Sequence, residues 1–280
     1  MLVHRDMTDT EYHSKPAYGS TDWKNFDSNP LYLKGGKRNK KDNQHTSAKA
    51  LGSFLHNALL NLELFGQNTH IAPEEICTQS GELSKKKDAK EYVESLPKGS
   101  EVITPANAHI LYRCIDNLFA NEYAYSLYSQ AIEKEVSLFW DLEGVPVKCR
   151  PDLISRGGLL CDYKTTRHTD VRKTFSRAVR DFDYGLSEAL YAIGCEEAGM
   201  AKGPMYFIVF STTSFECQVM QLPRKYVTAQ RDRLLRLIDD YKDRLARDEW
   251  TFSGYGELHQ VPTGGFSDGD NQEGYYGGEL

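Results

Sequence analysis

The residues of this chain best suited to chemistry are Asp152, Asp162 and Lys164. They stand in Cys149-Arg150-Pro151-Asp152-Leu153-Ile154 and, ten residues after the first acid, in Asp162-Tyr163-Lys164. Two carboxylates and an ammonium gathered at one place are what metal-assisted phosphodiester hydrolysis requires. Carboxylates hold Mg²⁺, the ion acidifies a water, and a lysine orients that water or offsets charge in the transition state. The three-residue motif alone has an ordinary reading too, because Asp-x-Lys recurs by chance and a strand ending in Asp-Tyr-Lys can simply be reaching solvent.

The elements that must position these groups are legible around them. Val145 to Ile154 and Leu159 to Tyr163 are β-branched and aromatic-rich, and Ser155-Arg156-Gly157-Gly158 joins them, which predicts paired strands and a turn. Side chains alternate along a strand, so Asp162 and Lys164 share one face and Tyr163 takes the other. Asp152, late in the neighbouring strand, can converge on the same spot.

Upstream, residues 1–20 are polar and expected to be extended. Ser20-Thr21-Asp22 predicts a helix start, with a stop near Asn29-Pro30. From Thr46 to Leu62, Ala48, Leu51, Phe54, Leu55, Ala58, Leu59 and Leu62 recur at three and four, the period of an amphipathic helix. Residues 69–99 read as loop, with a helical piece over 85–95. Thr104 to Gln130 reads as one long helix with Pro105 at its first position. Strands follow at 136–142, 145–154 and 159–164, helices at 171–181 and 186–199, strands at 205–211 and 215–222, and an amphipathic helix at about 226–248. That order gives an α/β protein with a mixed sheet and helices on both faces.

Composition sets the outer limits. At 280 residues the chain is long enough for one large domain or two small ones, and 40% hydrophobic with 26% charged residues is ordinary globular usage. No apolar run approaches the ~20 residues of a membrane helix, and the N-terminus lacks a signal-peptide core, so a cytoplasmic protein is expected. Six scattered cysteines without a Cys-x-x-Cys pair argue against a zinc ribbon or an iron–sulfur site and for reduced thiols. The net charge of −6 is not that of a general nucleic-acid binder, but Lys34, Lys37, Arg38, Lys40, Lys41 and Lys49 face only Asp42 in one run. Lys37, Arg38, Lys40 and Lys41 are therefore candidate DNA contacts. Further basic runs are Lys85-Lys86-Lys87 and Arg224 to Arg236.

His56 and Glu135 decide between the readings. Alone, His56 is a helix histidine and Glu135 a strand-edge charge. In order, however, Gly52-x-x-x-His56, Glu135, Pro151-Asp152 and Asp162-Tyr163-Lys164 resemble the PD-(D/E)XK nucleases of the RecB, lambda exonuclease and RecE type, most of all the RecE-like exonucleases of phage and prophage. Tyr12-His13, Ser28-Asn29-Pro30-Leu31-Tyr32 and Ala50-Leu51-Gly52 extend the resemblance over roughly residues 11 to 250.

The resemblance implies a restriction-endonuclease-like α/β core, a central mixed β-sheet flanked by helices, with a helical N-terminal extension. It implies one nuclease domain over 1–255, helical to about 130, before a Gly-rich acidic tail at 256–280 expected to be disordered or ordered only on binding. Asp152, Asp162 and the Tyr163 carbonyl would hold Mg²⁺ or Mn²⁺, two ions per site, with His56 completing a shell. Lys164 would position or help deprotonate the water, and Glu135 would act through water or orient Lys164. Family members carry Gln-x-x-x-Tyr on the following helix; here Tyr191 is present, but Ser187 stands where the glutamine would, beside Glu188. Ser187 and Tyr191 are therefore candidate DNA contacts with the glutamine's amide lost.

The implied activity is a metal-dependent exodeoxyribonuclease working 5′ to 3′ on double-stranded ends. It would act as a homo-oligomeric ring with a single-strand annealing partner of the RecT type, in the cytoplasm of a phage's bacterial host. An endonuclease or single-strand nuclease on the same site, or a silent DNA-binding module, are the alternatives.

Overall fold

The segment Tyr206–Ser211, YFIVFS, is apolar at nearly every position, the pattern of a strand covered on both faces. The computed structural model describes residues 1–36, 47–203 and 205–251, apart from the side chains of 47–49, and places this segment inside a five-stranded sheet.

In chain order the elements are β1 (Leu2–His4), α1 (Asp9–Ser14), α2 (Ser20–Ser28), α3 (Ser47–Leu60), α4 (Leu62–Asn68), β2 (Thr69–Ile71), α5 (Lys87–Ser95), β3 (Glu101–Ile103), α6 (Pro105–Ala120) and α7 (Glu122–Ser129). Then come β4 (Ala131–Lys134), β5 (Ser137–Leu142), β6 (Val145–Cys149), β7 (Leu153–Ser155), β8 (Leu159–Thr166), α8 (Val171–Asp181), α9 (Tyr184–Glu197), β9 (Tyr206–Ser211), β10 (Cys217–Gln221) and α10 (Arg224–Arg247). The main sheet runs β10-β9-β8-β7-β4, with β8 and β9 parallel and the other pairs antiparallel. A parallel pair needs a crossover, and α8 with α9 supplies it. A second, antiparallel sheet runs β1-β5-β6, and β2 pairs with β3 in parallel.

Alternation splits the interior into two cores. Leu160, Phe207 and Val209 face one, with Leu138 and Val147 of the second sheet and Phe175, Leu190 and Ile238 of α8, α9 and α10. Cys161, Tyr163, Ile208 and Phe210 face the other, with Leu55, Leu111 and Leu127 of α3, α6 and α7. The helices thus cover both faces of the sheet. Gly194 lets α9 approach the second sheet, since a Cβ there would lie 2.6 Å from the Trp140 ring and 2.9 Å from Cys149 Sγ. All six cysteines are free thiols, five of them buried. No helix among the described residues is long and apolar enough to cross a membrane.

Several expectations are corrected. Residues 1–20 are not simply extended: Leu2–His4 pairs with β5, and Thr8 caps α1 through a reciprocal box with Glu11. The helix expected over 104–130 starts at Pro105 behind the Thr104 cap but breaks at Asn121. There the side chain caps α7 and its amide donates to Cys217 O at 3.0 Å. The strand expected over 145–154 is two strands in different sheets, because Arg150-Pro151-Asp152 leaves the ladder and proline has no N–H to donate. Ala131–Lys134 is a strand that the sequence reading left unassigned. The tail at 256–280 lies outside the described residues.

Candidate active site

Four elements bring the expected residues together at an open cleft of about 910 Å³, lined by His56, Glu135, Asp152, Tyr163 and Lys164, with Asp162 buried beside Lys164. β8 supplies Asp162, Tyr163 and Lys164, the β6–β7 link supplies Asp152, α3 supplies His56, and the β4–β5 link supplies Glu135. The α3 helix reaches β8 closely at Gly52, where an added Cβ would lie 3.2 Å from Thr165 Oγ1. That approach sets His56, one turn further on, over the acids. Glu135 is not a strand residue as expected: its φ is +47°, a left-handed turn position, and its N–H donates to Asp152 O at 3.2 Å.

Asp152 is the hinge of the arrangement. Its Oδ2 accepts the Tyr163 N–H at 2.7 Å and its Oδ1 lies 3.0 Å from His56 Nε2. Burial raises the Asp152 pKa, but His56 and Lys164 outweigh it and hold the carboxyl below its ordinary range. Asp162 is 4% exposed and pairs with the Lys164 ammonium. Burial, with Asp152's charge, pushes it up to about 6. Lys164 Nζ also donates to Tyr163 O at 3.2 Å. Burial would lower its pKa, but Asp162 and Asp152 raise it further, so the amine is a cation. Burial likewise opposes the His56 cation, yet Asp152, Glu135 and Asp162 lift its pKa to about 9. Glu135 Oε1 lies 3.8 Å from His56 Nδ1, so its partner is the imidazole rather than the expected Lys164.

This donor set fits a hard divalent cation. Two carboxylates and a main-chain carbonyl are oxygen ligands of the kind Mg²⁺ and Mn²⁺ prefer. The Lys164 ammonium already bridges two of them, Asp162 and Tyr163 O, and stands where positive charge is wanted. Among the described residues no three His, Cys, Asp or Glu side chains are gathered around a common metal position. Lys164 and His56 each lie against one of the acids. His56 can ligate only as the neutral imidazole, so an ion there competes with its proton.

The remaining candidates divide. Tyr191 lines the cleft, with Tyr12 and His13 of α1. Ser187 is 9% exposed and does not line it. Lys37, Arg38, Lys40 and Lys41 lie outside the described residues. Two groups at the site were missed. Arg150 is buried, donates to Ser137 Oγ at 2.9 Å and Asp9 Oδ1 at 2.5 Å, and lies over the Tyr12 ring, tying α1 to the cleft floor. Lys24 of α2 donates to Phe182 O at 2.9 Å, and burial pulls its pKa down to about 8. Arg150 stood beside Pro151-Asp152 and could have been taken with it; nothing local marks Lys24.

Glu188, next to Ser187, is fully buried; one oxygen accepts the Met205 N–H at 3.0 Å and the other has no hydrogen-bond partner. Burial pushes its pKa up to about 7. An acid whose folded pKa exceeds its unfolded value loses stability as pH rises from the unfolded pKa through the folded one. At about 1.4 kcal/mol per pKa unit the loss is on the order of 3 kcal/mol by pH ~8. Glu188→Gln is therefore expected to flatten the fall in denaturant midpoint between pH ~5 and ~8. An unchanged slope would contradict this account of the carboxyl.

A mixed sheet flanked by helices, with an acid and a lysine on a central strand and a second acid on the link beside it, defines the PD-(D/E)XK class of nuclease-like folds. The chain belongs to the family described as a PDDEXK-like domain of unknown function (DUF3799), whose sequence model matches residues 19–257. Among solved structures it is similar to a protein of Eubacterium rectale provisionally named an exonuclease. The TM-score is 0.54 at 16% identity, covering 89% of this chain and 96% of that one. SSO0001 aligns over 75% of this chain and 95% of its own at 15% identity, with a TM-score of 0.25. No curated protein sequence matches the chain.

Proposed function

We propose that the protein is a divalent-metal-dependent DNA exonuclease acting on double-stranded ends, 5′ to 3′, and leaving 3′ single strands for phage-type recombination. The observation that carries the reading is the convergence of Asp152, Lys164 and His56 in one open cleft, with the lysine ammonium bridging two predicted ligands, the buried Asp162 carboxylate and the Tyr163 carbonyl. Asp9, Glu101, Glu135 and Asp152 line that cleft against Arg150, Lys164 and the His56 cation, which leaves the lining net acidic. A polyanion enters such a surface only with cations to neutralise it, which favours a metal-dependent enzyme over a silent binding module.

When bound, Mg²⁺ or Mn²⁺, two ions per site, would supply Lewis acidity and lower the pKa of water. Asp152, Asp162 and the Tyr163 carbonyl would hold it, and the Tyr163 N–H fixes the orientation of Asp152. Lys164 Nζ holds its protons at neutral pH, so it orients water and offsets charge on the phosphoryl oxygens rather than taking a proton. The name of the Eubacterium rectale neighbour supports exonuclease over endonuclease. A ring of copies, a RecT-type annealing partner and a cytoplasmic site of action belong to the same proposal.

Digestion of end-labelled linear duplex against a closed circle tests it. The linear form is expected to be degraded and the circle spared; equal rates on both would overturn the exonuclease reading.

A further inference from the structure

The cleft does not end at Lys164. Beyond Thr165, Phe182 and Tyr184, which border both spaces, lies a second cavity of about 580 Å³ lined by Arg167, His168, Arg177 and the threonines 212 and 213. At the junction three aromatic rings form a column. Phe207 stacks on Tyr184 at 5.7 Å and 25°, and Tyr184 stacks on Phe182 at 5.7 Å and 20°. Phe207 is fully buried, but Phe182 is 62% exposed. The column therefore ends with an open aromatic face between the acids and the arginines. Lys164 Nζ lies 5.2 Å from the Tyr184 ring, so the column stands beside the catalytic lysine of the proposed function.

An exposed phenylalanine is unremarkable by itself; the way this one is held is not. Asp183, between Phe182 and Tyr184, has a φ of +49°, a left-handed conformation that few non-glycine residues adopt. Arg233 secures it with a hydrogen bond to Asp183 Oδ1 at 2.9 Å and pairs as well with Asp27 of α2. Lys24 Nζ holds the Phe182 carbonyl. Side chains from α2 and α10 thus fix a strained turn whose visible result is to present one ring to the cleft. Leading up to it, α8 buries Val171, Phe175 and Val179 and turns Arg172, Lys173, Arg177 and Arg180 to solvent.

We propose that Phe182 is the stacking platform for an unpaired nucleobase flanking the scissile phosphate, and that the strand continues past Arg167 and Arg177 toward the exposed face of α8. The proposal rests on the nuclease reading and adds what the strand must look like there. A ring face takes any base whose own face is free, which a paired base inside a duplex does not offer. Glu82 and Asp181 share the second cavity with the two arginines, and Arg177 is paired with Asp181. That balance suits contact with a few phosphates of one strand, not the grip of a whole duplex. Unpairing at the junction also fits an enzyme that separates the strand it cuts from the one it leaves.

The test uses full-length protein in Ca²⁺ and short single-stranded oligonucleotides with 2-aminopurine placed at each position in turn. In the wild type one position is expected to lose fluorescence on binding. Phe182→Ala should abolish that quench and weaken binding about tenfold, the size of one base–aromatic stack, while Phe182→Trp keeps both. Arg167→Gln and Arg177→Gln should each weaken binding and lower its salt dependence by about one phosphate contact. Mg²⁺-dependent cleavage is measured on the same proteins. Cleavage by the wild type, with quench and affinity unaltered in Phe182→Ala, overturns the platform and leaves the nuclease standing. A Phe182-dependent quench without any cleavage supports the platform and removes the nuclease reading. An oligonucleotide that neither binds nor quenches overturns the platform.

Discussion

Lys164→Ala is expected to reduce DNA cleavage by about 10³-fold or more at saturating Mg²⁺, the range for removal of a positioned catalytic group whose charge acts inside a cleft. The ammonium is the only side-chain partner of Asp162 recorded among the described residues, and it also holds the Tyr163 carbonyl. Alanine removes the charge that faces the reacting phosphate and the donor that orders water. The fold should survive, because Asp162, already raised to about 6 by burial, can take up a proton when its counter-charge is gone. Lys164→Arg should not restore the rate, since a planar guanidinium cannot occupy a point-charge position between an acid and a carbonyl. Single-turnover cleavage of an end-labelled duplex, with circular dichroism to confirm folding, checks both variants. Near wild-type rates in Lys164→Ala would remove the lysine from the site.

Asp152→Asn is expected to lower Mn²⁺ affinity by at least about a hundredfold, beyond the 10- to 100-fold typical of losing a supporting contact. Asparagine keeps the shape and can still accept the Tyr163 N–H, so the β6–β7 link is not left with an unsatisfied donor. What it loses is the charge, and with it the strongest influence raising the His56 pKa. The loss should therefore appear in metal binding measured by titration calorimetry, with cleavage falling in parallel. Alanine would be a poorer probe because it orphans the buried Tyr163 N–H at a cost of about 1–3 kcal/mol. Unchanged Mn²⁺ affinity in the asparagine variant would mean that the ion is held elsewhere.

The parts of the site that were legible are those where one local pattern determines position. Period-two alternation fixed which of Asp162, Tyr163 and Lys164 share a face, and Tyr163 indeed turns into the opposite core. The spacing of Leu51, Leu55 and Leu59 fixed the α3 helix that carries His56. The apolar pattern could not say which strands share a sheet: 145–149 and 153–155 are both largely buried, yet belong to different sheets. Nor did it reveal the break at Asn121, which caps α7 through its Oδ1 while its amide donates to the distant Cys217 carbonyl. Glu135 looked like a strand start because a left-handed φ at a glutamate has no composition signal. Phe182 and Lys24 were invisible for a different reason, since their importance lies in a tertiary junction of α2, α8, α9 and α10.

The central claim is that this cleft hydrolyses DNA only with a divalent cation held among Asp152, Asp162 and the Tyr163 carbonyl. The most direct measurement follows end-labelled linear duplex with the purified full-length protein in Mg²⁺, then in EDTA, then with Mg²⁺ restored in excess. The account predicts cleavage, arrest and recovery in that order. Cleavage that continues in EDTA, or none with either Mg²⁺ or Mn²⁺, would contradict it.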